Sequence, residues 1–107
     1  MAKSQINFGE LGGGGIESIE SFNESWTLNV PLQITTTKKA KGICFSIRYN
    51  TTSYGEELVA FDGLYDNVIQ STISTYTGKA IFTDNYIELQ AITTSATNFT
   101  AYGYILY

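Results

Sequence analysis

The chain has 107 residues, of which 43% are hydrophobic and 15% are charged. This balance is typical of one compact globular domain and argues against a disordered segment. Ten acidic residues against six basic ones give a net charge of −4, which opposes binding to the phosphate backbone of a nucleic acid. We therefore expect a folded domain that has no nucleic-acid partner.

The side chains that most enzymes use are missing from the sequence. It contains no histidine, which removes the usual general base, the usual partner of a Ser or Cys nucleophile and the commonest zinc ligand. Two acid pairs that lie close in sequence are Glu56 with Glu57 and Asp62 with Asp66. Neighbours in a strand point to opposite faces, so the first pair does not converge. We expect no catalytic residue, no metal and no cofactor, and hence a protein that is not an enzyme.

The single cysteine, Cys44, excludes a disulfide within the chain. Its neighbours Ile43 and Phe45 indicate a strand rather than the site of an activated thiol. We expect the fold to be held together by packing alone.

The first fifteen residues form a leader that ends in four consecutive glycines, Gly12 to Gly15. Four glycines in a row have too much backbone freedom to hold a regular element. We therefore predict a flexible, Gly-hinged N-terminal arm over residues 1–15 and one domain over residues 16–107.

Three large apolar residues, Ile6, Phe8 and Leu11, lie in this arm, which cannot bury them against itself. Leaving such side chains in water forgoes on the order of 1.5 to 3 kcal/mol each. One interpretation is a frayed terminus, and the other is docking onto a neighbouring subunit or partner.

No stretch of the chain has the apolar length of a signal peptide or of a membrane-spanning helix. We expect the protein to be made in the cytoplasm and to have no membrane partner.

Alternation of apolar and polar residues is clearest between positions 26 and 34. The apolar positions there are Trp26, Leu28, Val30, Leu32 and Ile34. A repeat of two residues predicts one strand with one buried and one solvent-exposed face. Pro31 cannot donate to a ladder, so this strand should lie at a sheet edge or carry a bulge.

Further short runs of the same kind follow, separated by turn-forming residues. The predicted strands are 43–49, 58–61, 67–76, 80–83, 86–93 and 99–107, with turns at Asp62-Gly63, Thr77-Gly78 and Asp84-Asn85. In the last strand, both faces carry large apolar surface, which favours a central or interface position.

Together these runs make seven strands, and residues 16–22 could add an eighth. Ile16, Ile19 and Phe22 are also spaced for one helical turn, so that segment stays open. Regular strands at this spacing predict an all-β fold, an antiparallel β-sandwich of seven to eight strands, with a jelly roll as one form of closure.

The loop from Asp62 to Asn67 contains two carboxylates and an amide, which are ligand types that calcium uses. It lacks the dense alternation of ligands in an EF-hand loop. We therefore interpret Asp62 and Asp66 as turn-forming residues.

Tyrosine is the enriched residue type with the greatest potential for recognition, because it combines apolar area with a hydroxyl group. Tyr54 and Tyr65 lie in predicted loops, which makes them the candidate surface-recognition residues. Tyr102 and Tyr104 share one face of the last strand, and we predict that this face contributes to an oligomer interface.

The leader MAKSQINFGELGGGG and the closing segment FTAYGYILY, with a Ser/Thr/Tyr-rich body between them, resemble the small virion proteins of tailed bacteriophages. The resemblance covers about a quarter of the chain and carries over no functional residue. It implies a capsid-decorating, head-fibre or tail-tip protein located in the virion. Such a protein would be tethered to other virion proteins by its arm and would be a homo-oligomer, with a trimer favoured.

Two alternatives remain. A carbohydrate-binding module would place exposed aromatic residues around a concave face, with a host glycan as its ligand. A dimerising accessory domain of a bacterial surface or secretion system is the other.

Overall fold

A computed structural model of the protein describes residues 15–27, 30–49, 52–53, 57–71, 78–90 and 98–107. In chain order its strands are β1 (Ile19–Thr27), β2 (Leu32–Thr35), β3 (Gly42–Tyr49), β4 (Thr52–Ser53), β5 (Leu58–Phe61), β6 (Gln70–Ser71), β7 (Ala80–Phe82), β8 (Tyr86–Leu89) and β9 (Asn98–Leu106). One turn of 3-10 helix, Tyr65–Asn67, lies between β5 and β6. Within these ranges, no helix is long and apolar enough to cross a membrane.

The strands form two antiparallel sheets, which confirms the predicted β-sandwich. The larger sheet has the order β1-β9-β3-β5-β6, with β4 also pairing with β3. The smaller sheet has the order β2-β8-β7. The sequence predicts that the last strand is a central or an interface strand, and the position of β9 between β1 and β3 confirms the central alternative.

One hydrophobic core lies between the two sheets and draws side chains from both. The alternation predicted for β3 is confirmed, since Ile43, Phe45 and Ile47 are buried. Ile87 and Leu89 of the smaller sheet are also fully buried. Burial of such side chains is the main stabilising term of the sandwich, at about 1.5 to 3 kcal/mol each.

A glycine allows two aromatic rings of the core to meet across the centre of the larger sheet. Gly103 of β9 lies opposite Phe22 on one side and Phe45 on the other, and the two ring centroids are 6.3 Å apart. A Cβ atom at Gly103 would lie 2.2 Å from the carbonyl oxygen of Cys44. The close approach of β3 and β9 therefore requires glycine at this position.

The prediction of a single strand from residue 26 to 34 is wrong. The chain leaves the larger sheet after Thr27, bends at Val30 and enters the smaller sheet at Leu32. Trp26 and Ile34 contribute to the same core from opposite sheets, whereas Val30, at the bend between them, is 53% exposed. As Pro31 predicts, β2 is an edge strand of its sheet.

The structure also bears on the predictions for residues 16–22 and residues 67–76. The helical interpretation of residues 16–22 is wrong, because β1 begins at Ile19 and is extended. The strand predicted over residues 67–76 is shorter in the described part. Val68 makes an isolated bridge with Lys79, and the strand β6 covers only Gln70–Ser71.

The hairpin predicted around Asp84-Asn85 is confirmed, with β7 and β8 paired antiparallel. The hydroxyl group of Thr83 accepts hydrogen bonds from the backbone N–H groups of Asn85 and Tyr86, at 3.2 and 3.0 Å. A side chain of this type stabilises a turn by satisfying its backbone donors.

Candidate functional site

A shallow depression with a volume of about 530 Å³ lies on the larger sheet, and its lining includes the exposed Tyr104 together with the core residues Phe22 and Phe45. Apart from Glu57, which precedes β5, its lining comes from the strands β1, β9 and β3. The lining residues are Ser21, Phe22, Asn23, Cys44, Phe45, Ser46, Glu57, Tyr102, Gly103 and Tyr104.

The register of the strands sets the positions of the outward-facing side chains. Tyr102 of β9 lies opposite Asn23 of β1 and Ser46 of β3. In the next row, Tyr104 lies opposite Ser21 and Cys44. Residues two apart on a strand share a face, so each tyrosine stands between small polar side chains.

The two tyrosines differ in what covers them. Tyr104 is 50% exposed. Tyr102 is half-buried, and the guanidinium of Arg48 lies 4.9 Å from the centroid of its ring. A cation in this position is attracted by the ring and restricts its movement. The ring of Tyr104 is therefore the more accessible of the two.

Cys44 lines the same depression and is half-buried. Burial raises the pKa of the thiol above its ordinary value of 9.0, and the nearby charge of Glu57 raises it further. At neutral pH the thiol is therefore protonated, and a thiol in that form is a poor nucleophile. Cys44 therefore contributes an uncharged side chain to the lining of the depression.

Tyr65, a predicted recognition residue, is 70% exposed and lies on the 3-10 turn after β5. It is the first of three consecutive residues with positive φ, namely Tyr65 at 52°, Asp66 at 55° and Asn67 at 62°. This left-handed conformation is costly for residues with a Cβ atom. Tyr65 does not line the depression.

Side-chain hydrogen bonds hold this turn in place. The Oδ1 atom of Asn67 accepts from the N–H group of Gly63 at 2.8 Å, and its Nδ2 atom donates to the carbonyl of Ala80 at 3.0 Å. The carboxylate of Asp62 forms an ion pair with Lys39 at 3.1 Å. Residues 62–67 form a turn, as the sequence predicts, and the assignment of Asp62 and Asp66 to turn formation alone stays a prediction.

The described residues contain no cluster of three or more Cys, Asp or Glu side chains that could hold a metal ion. Other predicted residues lie outside the described part of the chain: Ile6, Phe8 and Leu11 of the arm, and Tyr54. The structure therefore brings together Tyr102 and Tyr104 and leaves Tyr65 at a separate place.

Sequence reasoning missed most of the residues around the two tyrosines. Alternation in β3 indicates that Cys44 and Ser46 face away from the core, but it does not reveal which strand lies beside them. The neighbours Ser21 and Asn23 come from β1, about 80 residues earlier in the chain. Such pairing depends on contacts that are distant in sequence and leaves no local signal.

We compared the chain with protein-family models, curated proteins and solved structures, and found no match.

Proposed function

We propose that the chain is a non-enzymatic structural protein of a tailed-phage particle. It joins other virion proteins through residues 1–15 and associates with further copies of itself, a trimer being favoured. The virion class rests on the resemblance of the leader and the closing segment. Self-association rests on one observation in the structure, which is the open edge of β1.

Strand β1 ends the order of the larger sheet, so one of its edges faces no other described strand. Seven of its nine residues are exposed. An exposed strand edge carries unpaired N–H and C=O groups that can pair with a strand of another chain. The sequence of β1 contains no proline and no lysine, residues that commonly block such pairing.

Two glutamates, Glu20 and Glu24, lie on this edge strand, and like charges directly opposite each other in a ladder are destabilising. Pairing between two copies therefore requires a register in which their glutamates do not face each other. Glu20 accepts a hydrogen bond from Tyr107 at 2.6 Å. The edge of β1 therefore combines an open ladder with charges that restrict the register of pairing. The predicted interface at Tyr102 and Tyr104 remains a separate prediction.

Sedimentation velocity on the full chain over a range of concentrations tests self-association. We expect an oligomer, which Ser25→Lys should dissociate because it places a charge on exposed β1. Thr35→Lys is the matched control, since it changes an exposed residue on the edge strand β2. A wild-type chain that stays monomeric at all concentrations contradicts the proposal, as does equal dissociation by both variants.

Deletion of residues 1–14 tests the tether. The deletion retains Gly15, whose carbonyl accepts a hydrogen bond from the ammonium group of Lys41. We expect a folded body that no longer co-purifies with the products of neighbouring genes. Ile6→Ser and Phe8→Ser in the full chain should give the same loss. Retained co-purification in all of these variants contradicts a docking role for the arm.

The genes beside this one test the virion class. Capsid or tail genes there would support it, whereas genes of a bacterial secretion system would favour the dimerising accessory domain instead.

A further inference from the structure

We propose that the depression around Tyr102 and Tyr104 is a binding site for an uncharged oligosaccharide. This inference goes beyond assembly of the particle and does not depend on it. It rests on the shape of the depression, the side chains around it and their charge.

The size and position of the depression suit a small ligand. The volume of about 530 Å³ lies within the range of small-molecule sites, which is roughly 300 to 1,000 Å³. The depression lies across the strands β1, β9 and β3 of one sheet, and paired strands hold its side chains in fixed positions. A ligand would therefore meet a largely preformed surface.

The side chains that line the depression complement the groups of a sugar. A sugar ring presents apolar C–H groups on its faces and hydroxyl groups around its rim. The half-exposed ring of Tyr104 offers a flat apolar surface for such a face. Around it lie groups that donate or accept hydrogen bonds. They are the hydroxyl groups of Ser21 and Ser46, the amide of Asn23 and the carboxylate of Glu57.

The depression carries little charge of its own. Of the residues that line the depression, Glu57 is the one acid and none is basic. Arg48 lies over the ring of Tyr102 beside the depression, and the chain as a whole has a net charge of −4. This arrangement offers no strong site for phosphate, sulfate or carboxylate groups. An uncharged sugar fits better than a phosphorylated or acidic one.

A second copy of the chain is the competing occupant, because Tyr102 and Tyr104 are also the predicted oligomer interface. A flat protein face laid over the depression would bury Asn23 and Glu57 without assured partners. Burial of unpaired polar groups costs several kcal/mol. Hydroxyl groups of a sugar can enter the depression and supply those partners, so the oligosaccharide is favoured.

An array of neutral and acidic oligosaccharides, followed by calorimetry with the strongest neutral binder, tests the proposal. We expect saturable binding to a neutral glycan by the wild-type chain. Tyr104→Ala should weaken this binding at least about tenfold, since it removes the stacking surface. Tyr104→Phe is the matched control, which keeps the ring and should retain most of the affinity.

Asn23→Ala provides a second variant on a different strand, and we expect it to weaken binding as well. Tyr65→Ala changes an exposed tyrosine outside the depression and should leave binding unchanged. Loss of binding in Tyr65→Ala but not in Tyr104→Ala would overturn the proposal in favour of the loop.

Two further outcomes also overturn the proposal. One is the absence of binding to any neutral glycan. The other is an oligomer that Tyr104→Ala dissociates in a chain without glycan binding, which would assign the face to a second copy. Both outcomes differ from failure of the β1 edge, which Ser25→Lys reports separately.

Discussion

The phenol hydroxyl of Tyr107 donates a hydrogen bond to Oε1 of Glu20 at 2.6 Å, although the two residues are 87 positions apart. The same hydroxyl accepts from the backbone N–H group of Thr37 at 3.1 Å. The backbone of Tyr107 also pairs with Glu17 and Ser18. Tyr107 thereby joins the start of β1 to the segment that follows β2.

Tyr107→Phe should lower the free energy of unfolding by about 1 kcal/mol, because it removes both hydrogen bonds while it keeps the buried ring. Urea denaturation monitored by tryptophan fluorescence measures the change. Tyr104→Phe is the control, since its hydroxyl lies on the exposed outer face and should matter by less than about 0.5 kcal/mol. Equal effects of the two variants would refute the role assigned to Tyr107.

Gly103→Ala should destabilise the protein by about 3 kcal/mol, at the upper end of the usual cost of overpacking. Its new Cβ atom would lie 2.2 Å from the carbonyl oxygen of Cys44 and 2.6 Å from the Cα atom of Phe45. Both are backbone atoms of the neighbouring strand, which cannot move without disturbing the β3–β9 ladder. Thermal and urea denaturation give the loss.

Gly63→Ala is the comparison for this change. Its Cβ atom would meet nothing within 4 Å, but its φ of +80° disfavours alanine. We expect a loss of about 1 kcal/mol from backbone strain alone. A milder effect of Gly103→Ala than of Gly63→Ala would show that β9 and β3 are not so closely apposed.

The raised pKa of Cys44 predicts a loss of stability in alkaline solution. The folded state retains the thiol proton above pH 9.0, the ordinary pKa, whereas the unfolded state loses it there. The contribution of this group is complete below that pH and declines as the pH rises through the raised pKa. The wild-type chain should therefore lose more stability between pH 7 and pH 10 than Cys44→Ala does.

The causes of this shift can be separated. Burial is the larger cause and Glu57 the smaller, so Glu57→Gln should reduce the alkaline loss only in part. Wild-type and Cys44→Ala chains with the same pH dependence would contradict the burial of the thiolate site.

Glu88 on the smaller sheet should titrate below its ordinary pKa of 4.5. Hydrogen bonds from the amides of Gln33, at 3.0 Å, and Gln90, at 3.1 Å, stabilise its carboxylate. NMR titration should show the pKa rising toward 4.5 in Gln33→Ala, and rising less in Gln90→Ala, because Gln33 is the larger cause.

This carboxylate also affects stability, with the opposite sign from Cys44. A lowered pKa contributes stability above pH 4.5 that is lost as the pH falls through the folded-state value. Since Glu88 is only partly buried, solvent screening keeps the contribution small. An unshifted pKa in the wild-type chain would contradict the two amide contacts.

The sequence predicted those strands that are short, alternating and bounded by turn residues. For β3, β5 and the β7–β8 hairpin, the apolar period and the flanking Asp-Gly or Asp-Asn turns act over a few residues. The segment from Trp26 to Ile34 misled because one apolar period runs through a crossover between sheets. Alternation does not identify the sheet, and at the bend it does not identify the buried side either, since Val30 is exposed.

The candidate site was predictable only in part, for a related reason. Tyr102 and Tyr104 share a face by their spacing alone. The presence of Asn23 and Ser46 beside Tyr102 depends on the pairing of β9 with two strands that are distant in sequence. Pairing of this kind is selected by packing across the whole sheet, and local composition carries no record of it.

The side-chain amide of Asn67 helps to hold the left-handed backbone conformation of the turn at Tyr65–Asn67. Winding three residues with Cβ atoms against their preferred hand costs roughly 1 to 2 kcal/mol for each, and the three side-chain hydrogen bonds of Asn67 oppose that cost. Without them only the backbone hydrogen bonds of the turn would oppose that cost, and the support for the exposed ring of Tyr65 would be weaker. Part of that support thus comes from a side chain two residues away from the ring.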